Sequence, residues 1–376
     1  MKYRKFGNTG VMVSALGFGT MRLPEYEKNG TRIVDEEKSI EILHRAFDLG
    51  VNYIDSAYGY CGGKSEIIAG KALKGYRNQV YVSTKSPIMS ITKKSDYRRI
   101  LEEQLKKLDV EFIDFYHFHS LNKNLWENTV LKFNLIEDAQ RAKEEGLIKH
   151  ISFSFHDKPE VLIQLIDTGL FETLLCQYNL LYQANKDAIA YANKKGVGVA
   201  IMGPIAGGRL ASRSEIIEKS LGGKAKSTAE VALRFVLSNS NVSVALSGMN
   251  SIEMVEENAA VASLDNPLSD EEINRINEIL EENRKLAELY CTGCEYCLPC
   301  PNGIQIPRIF TILNYYKVYG LKDYAKKEFA KVGKEESYGS SPLDCAECGN
   351  CEEKCPQNIK IREKLKEAIS ELGKPE

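Results

Sequence analysis

The chain has 376 residues, 43% of them hydrophobic, with 50 basic side chains against 52 acidic ones and a net charge of −2. That length suits one large domain with a small companion, and the balanced charge excludes an electrostatic case for nucleic acid or an acidic membrane surface as partner. No apolar run approaches the ~20 residues that span a bilayer, and Met1-Lys2-Tyr3-Arg4 leads into a polar turn where a signal peptide would be apolar, so the expected location is cytoplasmic.

Tyr3 to Val13, broken by Gly7-Asn8-Thr9-Gly10, predicts a hairpin. Eight strands are expected after it, at Ala15–Phe18, Val51–Asp55, Gln79–Thr84, Phe112–Phe118, Lys149–Ser154, Thr173–Tyr178, Gly198–Met202 and Ser243–Leu246. Most are nearly continuous in apolar residues, as strands buried on both faces are. Helical patterns fall between them at Glu36–Leu49, Asp96–Leu108, Leu135–Glu145, Glu160–Asp167, Lys186–Lys195 and Thr228–Ser238. In one of these, Leu101, Leu105 and Leu108 share a face, with Glu102, Glu103, Lys106 and Lys107 outside it. Eight β-then-α units in about 260 residues is the count of an α/β fold of the (β/α)8 TIM-barrel class. The first strand ends in Gly17-Phe18-Gly19-Thr20-Met21, which lacks the G-x-G-x-x-G of a doubly wound sheet.

A polar helix is expected from Asp270 to about Leu289, delivering the chain to two cysteine runs. These are Cys291-x2-Cys294-x2-Cys297-x2-Cys300-Pro301 and Cys345-x2-Cys348-x2-Cys351-x3-Cys355-Pro356, which hold eight of the ten cysteines. Thiolates at this spacing reach round one small inorganic core, and two sets of four predict two 4Fe-4S clusters. In the spacing of the second run the fourth cysteine serves the other cluster; the first run is one residue shorter before its last cysteine. Two rival readings are weaker. Disulfides would require an oxidising compartment. Zinc would be satisfied by two C-x2-C pairs per site, leaving the further cysteines redundant. Residues 307–331 between the runs look helical and aromatic, and Gly333–Pro342 reads as a polar loop. Cys176 reads as a small core residue and Cys61 as a bystander in a loop. The expected division is a barrel over residues 1–285 and a small α-helical module over 286–376.

In a TIM barrel the chemistry belongs at the C-terminal ends of the strands. The second strand ends at Asp55, with Tyr60 five residues on. The third ends at Lys85, the fourth at His117 and His119, and the fifth at Ser154, followed by His156. The sixth carries Gln177, Tyr178 and Asn179. Asn52-Tyr53-Ile54-Asp55-Ser56-Ala57-x-x-Tyr60, Ser83-Thr84-Lys85 and Asp114-Phe115-Tyr116-x-Phe118-His119 resemble the Asp/Tyr/Lys/His tetrad of the aldo-keto reductase superfamily. Gly17-Phe18-Gly19-Thr20-Met21-Arg22, Gln177-Tyr178-Asn179, Gly207-Gly208-Arg209-Leu210 and Glu257-Asn258 support the likeness, which covers residues 1–285. The cysteine tail is similar to the branch of that superfamily with a C-terminal ferredoxin-like domain, and its helical spacer to the α-helical ferredoxin arrangement.

The resemblance implies hydride transfer between NADP or NAD and a small-molecule carbonyl or alcohol. Tyr60 would be the acid, with an ordinary phenol pKa of about 10 that a nearby cation lowers. Lys85 is that cation, Asp55 fixes it, and His119 orients the carbonyl oxygen. His117, on the same strand face but deeper, is expected to be a satisfied core or supporting histidine. Cofactor contacts are implied at Gly19, Thr20, Met21, Ser154, Gln177, Gly203, Pro204, Gly207, Arg209, Gly248, Met249, Glu257 and Asn258. Where the family often has Ser-Asn this chain has Ser154-Phe155, so one amide contact is lost or comes from Asn179 or His156. The family's usual 2′-phosphate positions fall on Gly248 and Met254, leaving Arg209 or Lys224 to compensate. Met21, Arg22, Tyr58, Leu121, Asn122 and Trp126 are the substrate-facing candidates.

Hydride chemistry moves two electrons and a cluster moves one, so traffic between them needs a converter such as a flavin. Three roles for the clusters are open: a structural staple, a relay to a redox partner protein, or input to a flavin. An electron-transfer or redox-sensing protein with the barrel as scaffold is the alternative, against which the complete tetrad stands.

Overall fold

The computed structural model describes residues 1–28, 31–222, 225–287, 291, 295–355 and 358–373. Contacts along the backbone divide the chain into two units, residues 1–207 with 232–267 and residues 208–231 with 268–376.

The first unit contains a closed eight-stranded parallel barrel. Its strands are β1 (Leu16–Gly19), β2 (Tyr53–Asp55), β3 (Tyr81–Ser86), β4 (Ile113–Leu121), β5 (Ile148–Phe155), β6 (Thr173–Gln177), β7 (Gly198–Met202) and β8 (Val244–Ser247). Each pairs with its neighbours in sequence order, and β8 closes on β1 through Ala245–Leu16, Leu246–Gly17 and Ser247–Phe18. Closure depends on Gly17: a Cβ there would lie 2.6 Å from Leu246 Cδ2 and 2.8 Å from Val244 Cγ2. The helices are α1 (Glu36–Asp48), α2 (Ser65–Ala72), α3 (Ser95–Leu108), α4 (Leu135–Glu144), α5 (Pro159–Asp167), α6 (Lys186–Lys194), α7 (Thr228–Ser238) and α8 (Ile252–Ser263). The expected strands all form, with ends shifted by at most three residues and Gly198–Met202 unshifted. Helix α2 escaped the sequence reading because Ser65-Glu66 and Gly70 interrupt its apolar pattern. Gly70 is required by packing, since a Cβ would lie 2.4 Å from the Leu108 carbonyl oxygen.

The floor of the barrel is apolar. The N-terminal hairpin, Tyr3–Lys5 paired with Met12–Ser14, brings Phe6 and Val13 against Tyr53, Phe115, Leu175, Ala200, Val244 and Leu246. A second hairpin, Glu25–Lys28 with Thr31–Val34, follows β1. It is exposed along its first strand, which is why it left no strong apolar signal.

The second unit is helical, with α9 (Asp270–Ala287), α10 (Ile306–Lys317), α11 (Lys322–Phe329) and α12 (Ile361–Leu372). The helical stretch expected at 307–331 is two helices. Gly320 takes φ +63° between them, a conformation that breaks a right-handed helix at little cost for glycine. Ile304, Ile306, Ile309, Phe310, Leu313, Ile361, Leu365 and Ala368 form the core of this unit. Among the described residues no helix is long and apolar enough to cross a membrane.

Candidate active site and cysteine cavity

Asp55 at the end of β2 and Lys85 near the end of β3 are brought together because β2 and β3 pair in register at Asp55–Ser83. Lys85 is 1% exposed, and its Nζ donates to Asp55 Oδ2 at 2.6 Å and to the Ser56 carbonyl at 2.6 Å. Ser83 Oγ donates to the other carboxylate oxygen at 2.9 Å, a role the sequence reading did not assign. Burial opposes the lysine charge, but Asp55 and then Tyr60 outweigh it, so its pKa is raised and the ammonium form is kept.

Tyr60 opens a turn at Tyr60–Gly63 in which Cys61, Gly62 and Gly63 have φ of 53°, 63° and 84°. This turn carries its ring to 4.9 Å from Lys85 Nζ, measured to the ring centroid. The ring stands edge-on to His119, with centroids 6.1 Å apart. His119 is half-buried and its pKa is lowered to about 3, by burial first and then by Lys85 and His156. It is therefore a neutral imidazole at physiological pH, suited to hydrogen-bond a carbonyl oxygen.

His117 is fully buried, in register between Lys85 and Ser152, and its polar support is a weak hydrogen bond to the Phe153 backbone. Burial, then Lys85, lowers its pKa to about 3.

The candidate nicotinamide contacts lie on the next strands. Ser154 Oγ accepts from the Ser120 N–H at 2.7 Å and retains its own proton to donate. Phe155 is buried and offers no amide. Asn179 is spoken for: its Nδ2 donates to the Gly203 carbonyl and its Oδ1 accepts from the N–H groups of Leu181 and Tyr182. It shapes the loop, and although one Nδ2 proton is left over, the side chain is fully buried. His156 is exposed beyond β5. The Gln177 side chain makes no hydrogen bond to another described residue. A free Ser154 proton and a free Gln177 amide fit a carboxamide.

Gly203 and Gly207 have positive φ, with Pro204 buried between them. Gly19 ends β1. Thr20 is buried, its Oγ1 donating to the Asp55 carbonyl at 3.0 Å, while Met21 is 59% exposed. Arg22, read from sequence as substrate-facing, lies beside Gly207 and Gly248. Its Nη2 is 3.4 Å from where a Gly207 Cβ would stand, and its own Cβ is 3.5 Å from that of Gly248. Met249 is buried, so only its backbone is available. Ser251 caps α8, accepting from the Met254 N–H; on that helix Glu257 is exposed and Asn258 donates to Ser247 Oγ at 3.2 Å.

Four substrate-side candidates have other partners or are buried. The Tyr58 phenol donates to Glu103 on α3, with Lys107 Nζ 3.8 Å over its ring. Trp126 packs edge-on to Phe171 at 5.9 Å, and Phe171 in turn meets Phe118 of β4 and Phe153 of β5. Asn122 caps the short helix Lys123–Leu125, and Leu121 is fully buried.

In the second unit, Arg209 lies 5.2 Å over the Tyr315 ring. Cys297, Cys300, Cys345, Cys348 and Cys351 line one cavity of about 220 Å³. Cys291, Cys297, Cys300, Cys345, Cys351 and Cys355 pack on the helical core, and Cys348 is exposed. All the described cysteines are free thiols. Five thiols round one void suit an inorganic core larger than a single ion. Cys294 and Lys224 lie outside the described residues. Cys176 is fully buried as expected, and burial pushes its thiol pKa up.

Residues 15–281 match the aldo/keto reductase family model, and residues 290–361 match a 4Fe-4S dicluster domain. L-galactose dehydrogenase of Arabidopsis thaliana is 29% identical over 315 residues, covering 76% of this chain and 96% of that protein. Among solved structures, the holo form of an aldo-keto reductase from Bacillus halodurans aligns with a TM-score of 0.63 and 25% identity, covering 74% of this chain and 96% of the other. An aldo/keto reductase from Klebsiella pneumoniae, in complex with NADP and acetate, shares the fold at 23% identity and a TM-score of 0.62, over 74% of this chain and 95% of its own. The family match covers well over half of the sequence, and the chain belongs to the aldo/keto reductase family, with a C-terminal 4Fe-4S dicluster domain.

Proposed function

We propose that the protein is an NAD(P)H-dependent carbonyl oxidoreductase, its barrel over residues 1–285 and a module holding two 4Fe-4S clusters over 286–376. The observation that carries the reading is Lys85, buried between the carboxylate of Asp55 and the ring of Tyr60. A reduced nicotinamide, when bound, supplies the hydride. The chain's own residues do the rest. Asp55, Ser83 and the Ser56 carbonyl hold the ammonium in one place. That fixed charge favours loss of the Tyr60 proton to the carbonyl oxygen. Neutral His119 donates a hydrogen bond to the same oxygen and orients it. Ser154 and Gln177 would hold the carboxamide. Gly203, Pro204, Gly207 and Gly248 would line the pyrophosphate, with Arg22 as the nearby cation, and Glu257 and Asn258 would face the adenine.

For the module, the cavity joins Cys297 and Cys300 of the first run to Cys345, Cys348 and Cys351 of the second. The spacing rule for such runs exchanges the fourth ligand, which puts one cluster on Cys300, Cys345, Cys348 and Cys351 and the other on Cys291, Cys294, Cys297 and Cys355. Six of these cysteines pack against the module's apolar core, which favours a folding role for the clusters. Exposed Cys348 gives an exit for electrons to a partner protein.

The deciding experiment is Tyr60→Phe, assayed anaerobically with NADPH and NADH over a panel of aldehydes and ketones. General acid catalysis contributes roughly 100- to 10,000-fold, and a loss in kcat of that order is expected. Full carbonyl reduction by the variant overturns the assignment.

A further inference from the structure

The Tyr60 turn is held locally by the Tyr60 N–H, which donates to the Ala57 carbonyl at 3.1 Å, and by the Cys61 thiol, 3.5 Å from the Thr20 carbonyl. A Cβ at Gly59 or Gly62 would touch nothing within 4 Å, and three successive residues carry positive φ. Yet the ring must stay beside Lys85 if the phenol is to act as the acid. What fixes it lies where the turn runs into α2, at Ser65 and Glu66, both 0% exposed.

Ser65 reaches the strand of Asp55. Its Oγ is 2.7 Å from Ser56 Oγ and 2.5 Å from Thr20 Oγ1. Thr20 has one hydroxyl proton, and it goes to the Asp55 carbonyl; Thr20 therefore accepts from Ser65, and Ser65 from Ser56. Each hydroxyl in this buried line has its partner. Glu66 reaches the strand of Lys85. Its Oε1 accepts from Thr84 Oγ1 at 2.6 Å and from Gln104 Nε2 at 2.5 Å. The same Gln104 amide group lies 3.1 Å from the Lys85 carbonyl, and Gln104 Oε1 accepts from the Tyr116 phenol at 2.7 Å. Glu66 Oε2 has no hydrogen-bond partner; Lys107 Nζ is 3.9 Å away.

We propose that Glu66 is a positioning residue for the carbonyl chemistry: through Thr84 and Gln104 it clamps the start of α2 to the end of β3 and so sets the separation of the Tyr60 phenol from the Lys85 ammonium. The proposal rests on the reading of Tyr60 and Lys85 as acid and cation. The clamp works through one acceptor oxygen, Oε1, and not through contact with substrate. Glutamine retains that oxygen; leucine fills similar space and removes it.

The test compares E66L and E66Q with the intact holoprotein and with Y60F. E66L is expected to lower kcat by roughly 100-fold, the cost of a misplacement of about 1 Å, with KM for the carbonyl substrate unchanged, and E66Q to recover most of the loss. Independently of activity, hydrogen exchange in a peptide spanning residues 57–66 should accelerate in E66L and return to the wild-type rate in E66Q. A folded E66L with wild-type kcat and wild-type exchange overturns the clamp, as does an equal loss in E66L and E66Q. If Y60F is itself fully active, the failure belongs to the underlying assignment of the acid and is distinguished from failure of the clamp.

Discussion

Lys85 Nζ lies 2.6 Å from Asp55 Oδ2 and 4.9 Å from the centre of the Tyr60 ring, so one buried ammonium touches both the group that anchors it and the group it acts on. The three residues come from β2, the turn after it and β3. The barrel holds the anchor, while the turn carries the acid.

Replacing Lys85 tests the pair energetically as well as chemically. Lys85→Met leaves the Asp55 carboxylate buried with Ser83 alone, and losing one partner of a buried pair costs about 3–5 kcal/mol. The expected outcome is a lower urea midpoint together with a fall in kcat/KM of at least about 100-fold. A variant as stable and as active as the wild type would contradict the arrangement.

His117 makes a prediction about acid. Its folded-state pKa is about 3, whereas an unfolded histidine takes up its proton near 6.5. The unfolded state thus binds more protons as pH drops below that value, so the native state loses stability between pH 6.5 and about 3, by up to about 1.4 kcal/mol per pH unit. His119, also lowered to about 3, acts in the same direction. His117→Leu removes one buried, poorly hydrogen-bonded polar side chain. It should leave stability at pH 7.5 unchanged or higher, and should flatten the decline measured by urea titration from pH 6.5 to 4.5. An unchanged acid slope would show that His117 does not stay neutral in the folded state.

If the loop at Gly203 to Gly207 holds a pyrophosphate as proposed, Arg22 is the cation beside it, and it makes no hydrogen bond or ion pair to another described residue. Arg22→Gln is expected to raise the dissociation constants of both NADPH and NADH by roughly 10-fold, the value of one charge-assisted hydrogen bond. Calorimetric titration of the holoprotein measures this. Unaltered affinity for both nucleotides would return Arg22 to the substrate side.

The exchanged ligand sets predict reciprocal losses. Cys300→Ser should remove the cluster shared with Cys345, Cys348 and Cys351, and Cys355→Ser the other, each taking iron from about eight to about four per chain. Low-temperature EPR of the reduced variants should then show one magnetic centre with no sign of coupling to a second. Loss of the same centre in both variants would refute the exchange.

Much of this was legible in the chain. Continuous apolar runs at regular intervals specify a parallel barrel, because only strands covered on both faces are built that way. Once the barrel is known, the strand-end rule places Asp55, Lys85 and His119 on one rim, and the cysteine spacing announces the metal module. Local signals failed where partners are distant in sequence. Asn179 looks like an amide for a cofactor and is fully buried, bonded to Gly203. Trp126 looks like a pocket wall and packs on Phe171. Arg22 looks substrate-facing and lies over Gly207 and Gly248.

Spacing and residue type by themselves gave a (β/α)8 barrel followed by a 4Fe-4S module, because periodicity and cysteine spacing are properties of neighbouring positions in the chain. The tertiary structure alone decided which polar groups remain available for chemistry. Hydrogen-bond capacity is finite, and whether Ser154, Gln177 or Glu66 has any to spare depends on groups contributed by strands and helices far away in the sequence.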